Sequence, residues 1–104
     1  MRVAVPSSGR TLESPIDPRF GRSPYYIIVD TETMKHEILD NTRMSAPGGL
    51  EAAQLVAGED VDVVLAGALG PNSSKVLSRA GIKIIKGVRG TVKEAIEAFK
   101  KGEF

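Results

Sequence analysis

The chain has 104 residues, of which 41% are hydrophobic and 26% charged, with a formal net charge of +1 and no cysteine. This length and composition predict one globular domain, residues 1–104, without a disulfide framework or a thiolate metal site. The small net charge gives no reason to expect nucleic acid or a membrane as a partner, and no apolar run approaches the about 20 residues of a membrane span. Because no signal-peptide pattern opens the sequence, we expect a cytoplasmic protein, and the few Asn and Gln residues are typical of a thermophile.

The first half of the chain predicts three strands separated by loops. Apolar runs of strand length, bounded by turn-forming or charged residues, occur at residues 2–6, 25–29 and 36–39. The polar connection 30–34 makes the last two strands a hairpin. Residues 7–24 form a long loop rich in Ser, Pro and Gly, and residues 41–49 form a second loop. Long loops of this kind in a compact domain are usually functional or mobile.

The second half of the chain alternates helices with strands. Apolar residues recur at helical spacing in three segments, which we predict as helices: residues 50–57, 73–80 and 92–99. Thr91 and Glu94 make a capping box at the start of the last helix. The continuous apolar run 61–66 is typical of a central parallel strand, and residues 82–85 fit an edge strand.

The resulting order, βββαβαβα, predicts an α/β fold with one mixed five-stranded sheet and helices on its faces. The natural strand order is 3-2-1-4-5 with the second strand antiparallel, which is the ribonuclease H-like arrangement. In this topology the loops after the first, third, fourth and fifth strands open on one side of the sheet, where open α/β sheets bind ligands. We call this side the loop edge. It collects residues 6–24, 41–49, 67–72 and 87–90.

The loop edge combines cations with glycine-rich turns, a pattern that suits an anionic ligand. Arg19 and Arg22 flank a Phe-Gly pair, and two predicted helices begin near Gly49 and Asn72, where free backbone N–H groups favour an anion. The predicted ligand-binding residues are Arg19, Phe20, Gly21, Arg22, Met44, Gly48, Gly49, Gly67, Gly70 and Asn72.

Structural roles are the alternative for most of these residues. Arg19 and Arg22 could pair only with Asp17 or Glu13, and Phe20 could cover the core without touching a ligand. The Gly-Pro-Asn turn at residues 70–72 could do no more than start a helix.

Enzyme chemistry is not expected from this sequence. The first strand carries no carboxylate, and Asp60 and Asp62 lie at the end of the fourth strand that is far from the loop edge. A metal-dependent nuclease needs such carboxylates together. His36 is the single histidine, and no Ser/His/Asp or Cys/His set is present.

Four segments together resemble the dinitrogenase iron–molybdenum cofactor biosynthesis family over essentially the whole chain. They are DPRFGRSPYYIIVD, VDVVLAGALGPNSSKVL, AGIKI and GTVKEAIEAF. The resemblance implies a ribonuclease H-like fold and a carrier of the iron–molybdenum cofactor or a precursor iron–sulfur cluster, with a protein partner for cluster transfer.

The chain departs from the family pattern at two places. Nitrogen-fixing carriers tend to place a histidine beside the Phe-Gly pair and another near the glycines of the second loop, whereas this chain has arginines at the first place and Met44 near the second. Without cysteine an all-Cys cluster cannot form, so a cluster would be held by arginines, backbone amides and Met44 or His36. The competing interpretation is a regulatory module that binds phosphate or another small molecule.

Overall fold

The computed structural model describes residues 1–41 and 50–104, which fold around one five-stranded sheet. The strands are β1 (Arg2–Ser7), β2 (Tyr25–Asp30), β3 (His36–Asp40), β4 (Val63–Leu65) and β5 (Lys83–Ile85). The helices are α1 (Leu50–Ala57), α2 (Pro71–Arg79) and α3 (Val92–Lys100), and a 3₁₀ turn covers Phe20–Arg22. The predicted order of strands and helices is confirmed, and the 3₁₀ turn is an addition that the sequence did not suggest.

The strand order is β3-β2-β1-β4-β5, as predicted. β1 runs antiparallel to β2, with Val5 opposite Ile27, and parallel to β4, with Val3 opposite Val63. β1 continues through Pro6 to Ser7, beyond the predicted stop at proline, because its pairing with β4 ends at Ala4 and Pro6 breaks no ladder bond there. The topology therefore matches the ribonuclease H-like arrangement.

The three central strands, β1, β2 and β4, are buried on both faces, which explains their continuous apolar runs. Alternate strand residues point to opposite faces, so each strand contributes to two core layers. One layer packs strand residues against α1 and α2 and includes Ala4, Tyr26, Ile28, Ala53, Val56, Val64 and Leu77. The other layer packs strand residues against α3 and includes Val3, Val5, Ile27, Val29, Leu65, Val92, Ala95 and Ile96.

Each of the first two helices buries a narrow face. In α1 the buried residues are Ala52, Ala53 and Val56, while Leu50 is 44% exposed. In α2 only Ser73 and Leu77 are buried.

Residues 7–24, which we call the strap, are tied to the sheet and to α3 by backbone hydrogen bonds. Ile16 N donates to Gly90 O at 2.9 Å, Asp17 N to Pro6 O at 3.0 Å, and Phe20 N to Ala68 O at 3.2 Å. In the other direction, amides at the start of α3 donate to strap carbonyls. This anchoring argues against the mobility that the Ser, Pro and Gly content of the loop predicted.

No helix within residues 1–41 and 50–104 has the length and apolar character needed to cross a bilayer.

Candidate functional site

The described loops meet at the loop edge, as the topology requires. Arg19 forms a bridge with Ala68, which brings the strap beside the loop that follows β4. Gly87 N donates to Gly67 O at 3.0 Å, which adds the loop after β5. A Cβ on Gly67 would lie 3.5 Å from Pro18 O and 3.6 Å from Val88 O, which is ordinary van der Waals contact, so the three loops meet closely at this glycine. The backbones of the strap and of the loops after β4 and β5 are thus closely packed at the loop edge.

The 3₁₀ turn that carries the two arginines is formed by local hydrogen bonds. The Asp17 carboxylate accepts from Arg19 N at 2.9 Å, an Asx-type turn that starts the segment. Arg22 N donates to Arg19 O at 3.3 Å, and Ser23 N donates to Phe20 O at 3.4 Å. The Ser23 hydroxyl donates to carbonyls of β1 and β2 and fixes the end of the turn to the sheet. Within the described residues, the turn is therefore held by backbone and small polar groups, with no hydrogen bond or ion pair from the side chains of Arg19 and Arg22.

Phe20 is the apolar anchor of this turn. Its side chain is 1% exposed and lies in the core layer beneath α1, with its ring centroid 5.0 Å from that of Tyr26. The Tyr26 hydroxyl donates to Phe20 O, so the same residue is held through its ring and through its carbonyl. In this position Phe20 covers the core and offers almost no surface to a ligand.

Tyr26 is held in its neutral, donating form. Burial raises the pKa of its phenol well above the ordinary value, and the nearby charge of Asp17 raises it further. A phenolate here would lose the donation to Phe20 O and would face an adjacent carboxylate. The neutral hydroxyl is thus a fixed support under the turn.

Arg19 and Arg22 are exposed and take part in no ion pair within the described residues. The pairing with Asp17 or Glu13, the structural alternative, is not formed. Residues 42–49 contain no acidic side chain that could serve instead. Two guanidinium groups therefore stand at the loop edge without an internal carboxylate partner.

The first turn of α2 also lies at this edge. Its N-cap is Gly70, which makes no side-chain cap, Pro71 occupies the first turn, and the first turn holds no acidic residue. The exposed Asn72 lies in this first turn. This end of α2 directs the positive end of its helix dipole toward the loop edge.

At the start of α3, in contrast, the backbone N–H groups are already hydrogen-bonded. Thr91 and Glu94 form the predicted capping box, and the strap supplies further acceptors, since Val92 N donates to Ser14 O at 3.0 Å and Lys93 N to Leu12 O at 2.8 Å. These donors are already used, so α3 offers no comparable anion site.

Several predicted site residues do not join this arrangement. Met44, Gly48 and Gly49 lie outside the described residues. His36 begins β3, whereas the loop edge lies at the other end of that strand beyond Asp40. Four residues of extended strand separate the two ends by about 13 Å. The suggestion that His36 shares a cluster site with the arginines is therefore wrong.

Asn41 is a residue that the sequence analysis missed. It follows β3 directly, is 7% exposed, and donates from Nδ2 to Ser23 O at 2.9 Å. Its Oδ1 is the one buried side-chain polar atom in the described part of the chain that lacks a hydrogen-bond partner. A polar residue at the end of a strand gives no sequence signal of burial, so only the fold identifies it.

Metal ligation by acidic, histidine or cysteine side chains finds no support in the described ranges. They contain no group of three or more such residues that could hold a metal ion. The donors that the edge presents are guanidinium and amide N–H groups.

These features define a small α/β protein with ribonuclease H-like sheet topology and a loop edge formed by arginines and backbone amides. The chain belongs to the dinitrogenase iron–molybdenum cofactor family, whose family model matches residues 1–102. The resemblance drawn from the sequence is thereby confirmed.

Solved structures agree with this assignment. The apo form of the orange protein from Desulfovibrio gigas is 37% identical with a TM-score of 0.91, covering 98% of this chain and 88% of that one. A Thermotoga protein of the DUF35 family, proposed to be a NifB protein, is 40% identical with a TM-score of 0.85, covering 97% and 88%. The protein PH0822 is 29% identical with a TM-score of 0.84, covering 98% and 92%. No curated protein matches significantly.

The family and its structural relatives support a small cofactor-binding protein of the carrier type. The Thermotoga relative also agrees with the thermophile-like composition.

Proposed function

We propose that this protein is a small cytoplasmic carrier that binds an anionic metal cluster, the iron–molybdenum cofactor or a precursor iron–sulfur cluster, at the loop edge. The observation that carries the proposal is the pair of exposed arginines, Arg19 and Arg22, on a turn fixed from inside the core. Neither arginine is neutralised by a carboxylate in the described residues. Family membership supplies the class of cargo.

The donor set of the edge fits a cluster that brings its own inner ligands. The sequence has no cysteine, so the protein cannot replace those ligands with thiolates. Guanidinium groups can instead bind the negatively charged outer atoms of an assembled cluster. Attachment through hydrogen bonds alone is reversible, which suits delivery to a protein partner.

We also propose roles for other predicted ligand-binding residues. The cargo approaches the backbone at Gly21, Gly67 and Gly70. The second loop contributes Met44, Gly48 and Gly49. We propose binding without catalysis, in keeping with the family and the orange protein. Neither nucleic acid nor a membrane is part of the proposed function.

The test is the double substitution Arg19→Ala with Arg22→Ala, assayed by anaerobic titration with isolated iron–molybdenum cofactor. Each arginine contributes a charge-assisted hydrogen bond of about 1.5–3 kcal/mol, imperfectly additive, so binding should weaken by roughly 2–4 kcal/mol. The thermal midpoint should change little because neither side chain belongs to the core.

Arg79→Ala is the matched control, since Arg79 is an exposed arginine in the last turn of α2 and lies away from the loop edge. Cofactor affinity should be unchanged in this variant. Equal affinity in the double variant and the wild type would overturn the proposal.

A further inference from the structure

The segment from β4 to the start of α3, residues 63–93, carries positive charge alone. It contains six Lys and Arg residues and neither Asp nor Glu, whereas the rest of the chain has eight cationic residues against thirteen acidic ones. The net charge of +1 therefore results from two oppositely charged parts of the chain. The six residues, which we call the cationic edge, are Lys75, Arg79, Lys83, Lys86, Arg89 and Lys93.

All six side chains of the cationic edge are exposed. None of them takes part in an ion pair within the described residues, and residues 42–49 hold no carboxylate that could pair with them. Their charge is therefore available to a molecule outside the chain.

The fold collects these side chains around one side of the sheet. β5 is an edge strand, because the sheet order ends with β4-β5. α2 directly precedes β5 and packs against it, and the loop after β5 leads into α3. Lys75 and Arg79 are one helical turn apart on α2 and both are exposed, whereas Leu77 faces the core. The cationic edge thus follows the outer side of β5 from α2 to the start of α3.

One end of the cationic edge adjoins the loop edge. Gly87 N donates to the backbone of the loop after β4 at 3.0 Å, and Arg19 bridges the same loop. Lys86 and Arg89 lie close to Gly87 in the chain, whereas Lys83 begins β5 at the opposite end of the strand. A molecule bound along β5 would therefore lie beside the proposed cargo site without occupying it.

β5 also offers main-chain hydrogen-bonding groups at this side. Lys83 N donates to Asp62 O at 3.0 Å, and Ile85 O accepts from Ala66 N at 2.9 Å, so these two residues of β5 bond toward β4. Because successive residues of a parallel strand direct their main-chain groups to opposite sides, the N–H and C=O of Ile84 face away from the sheet. No further strand lies beyond β5 in the described part of the chain.

An extended acidic segment of a protein fits both features. Its main chain can add to the sheet at β5, and its carboxylates can face the surrounding cations. Lysine on an edge strand ordinarily opposes pairing with another strand, and an acidic strand is the kind that the same charge attracts. Single-stranded nucleic acid fits less well, since residues 63–93 contain no aromatic side chain on which bases could stack.

We propose that the cationic edge is a docking surface for an extended acidic segment of a protein partner, which adds to the sheet along β5. That this partner receives the cargo rests on the proposed function, whereas the docking itself is independent of any cargo.

Two short peptides are the probes, one of alternating Glu and Val and one of alternating Lys and Val, both with blocked termini. Each is titrated without cargo into the isotopically labelled protein at neutral pH and low ionic strength, with the amide resonances of Ile84 and Lys86 followed by NMR. The acidic peptide should shift these resonances and bind at least about tenfold more tightly than the basic peptide. Equal binding of the two peptides would overturn the proposal.

The double substitution Arg79→Glu with Lys83→Glu should weaken binding of the acidic peptide at least about tenfold, because it reverses two charges of the cationic edge. Lys35→Glu with Lys100→Glu is the matched control. It changes the net charge equally and also places one substitution in the last turn of a helix. Equal losses in the two variants would show that only net charge matters and would overturn the proposal.

If the double Glu variant does not fold, glutamine at the same two positions gives the comparison. The loss should then be about threefold, because charge is removed without being reversed. Unchanged affinity in the folded glutamine variant would count against the cationic edge as the docking surface.

Three further measurements test the kind of partner. An acidic peptide methylated at alternate backbone nitrogens should bind more weakly, and equal binding would contradict addition to the sheet. A thymidine oligonucleotide of the same charge that binds these amides as tightly would point to nucleic acid and overturn the proposal. Shifts of the same amides with protein concentration alone would show that a second copy of the chain occupies β5, which also overturns it.

The outcomes separate this inference from the proposed function. If the acidic peptide binds as expected and isolated cofactor does not bind, the docking surface stands and the carrier proposal fails. If cofactor binds in an arginine-dependent way and the acidic peptide does not bind, the carrier proposal stands and this inference fails.

Discussion

At the scale of single residues, Tyr26 connects the core to the loop edge. Its ring packs on Phe20 and its hydroxyl donates to Phe20 O, so the position of the arginine turn depends on a group inside the sheet. This arrangement requires the phenol to stay neutral. The raised pKa of Tyr26 is therefore a property of the fold with a measurable consequence for stability.

We expect stability to fall at alkaline pH in a way that depends on Tyr26. In the unfolded chain this phenol titrates near its ordinary pKa of about 10, whereas the folded protein keeps the proton to higher pH. Above pH 10 the unfolded state releases a proton that the folded state retains. The free energy of unfolding should then fall with rising pH, by up to about 1.4 kcal/mol per pH unit from this residue.

Urea unfolding of the wild type and Tyr26→Phe between about pH 9 and pH 11 measures this contribution. The variant keeps the aromatic packing and lacks the titrating group, so its stability should fall less steeply. Both proteins retain Tyr25 and all lysines, which makes the difference between them specific. Identical slopes would mean that Tyr26 titrates alike in the folded and unfolded states.

At the scale of elements, the backbone N–H groups at the start of α3 find acceptors both in the capping box and in the strap. Thr91 Oγ1 accepts from Glu94 N at 3.1 Å, while the Glu94 carboxylate accepts from Thr91 N at 2.9 Å. The backbone donation from Thr91 lowers the pKa of Glu94, because it favours the charged carboxylate, and the Thr91 side chain lowers it further. The strap then satisfies two more donors of this helix start.

Thr91→Ala should lower the free energy of unfolding by about 1 kcal/mol, since it removes the cap of α3. Urea denaturation at neutral pH gives this value. Thr33→Ala is a suitable control, because Thr33 lies in the exposed β2–β3 turn far from any helix start. An unchanged free energy of unfolding in Thr91→Ala would show that the hydrogen bonds to the strap carbonyls stabilise the start of α3 without the Thr91 cap.

Phe99 gives a second test of how α3 packs. Phe99 is partly buried beside the layer that contains Ile96. A buried Phe→Ala change costs about 3–5 kcal/mol, so the partly buried Phe99→Ala should cost about 2–3 kcal/mol in urea denaturation. Glu97→Ala, on the exposed face of the same helix, serves as the control. A loss below about 1 kcal/mol would contradict the packing of α3 on the sheet.

Sequence patterns predicted the elements well because periodicity reports burial directly. Strand alternation, the continuous run at β4 and the capping box of α3 all reflect local chemistry. The 3₁₀ turn and the attachment of the strap depend on backbone bonds between distant segments, such as Phe20 N to Ala68 O, and such bonds leave no trace in composition. Arg19 and Arg22 could be placed at the loop edge from topology alone, whereas the orphaned oxygen of Asn41 could not.

At the scale of the whole molecule, the strap determines how rigid the loop edge is. Its amides donate to carbonyls of the loops after β4 and β5, so the parts of the site that the structure describes form one hydrogen-bonded unit. An edge held in this way fixes the backbone positions of Arg19 and Arg22 before any ligand arrives. This favours binding, because less conformational freedom is lost on association.

Hydrogen exchange distinguishes this rigid strap from the mobile loop that its composition suggested. The amides of Ile16, Asp17 and Phe20 donate to backbone carbonyls outside the strap, so we expect them to exchange at least about a hundredfold more slowly than in an unfolded peptide. NMR-detected exchange at neutral pH in the absence of ligand measures these rates, with Val64 of the central strand as the internal standard. Exchange of all three at the rate of an unfolded chain would restore the mobile-loop interpretation.

The way the 3₁₀ turn is held has a consequence for how proteins of this fold diverge. The turn is built from main-chain bonds, one buried ring and small polar residues, and within the described residues the side chains of Arg19 and Arg22 make no hydrogen bond or ion pair that supports it. We therefore expect substitutions at these two positions to leave the turn and the core in place. Single substitutions at positions 19 and 22 can therefore change the chemical groups at the loop edge while the fold stays the same. New ligand preferences can arise in this way without a compensating substitution elsewhere.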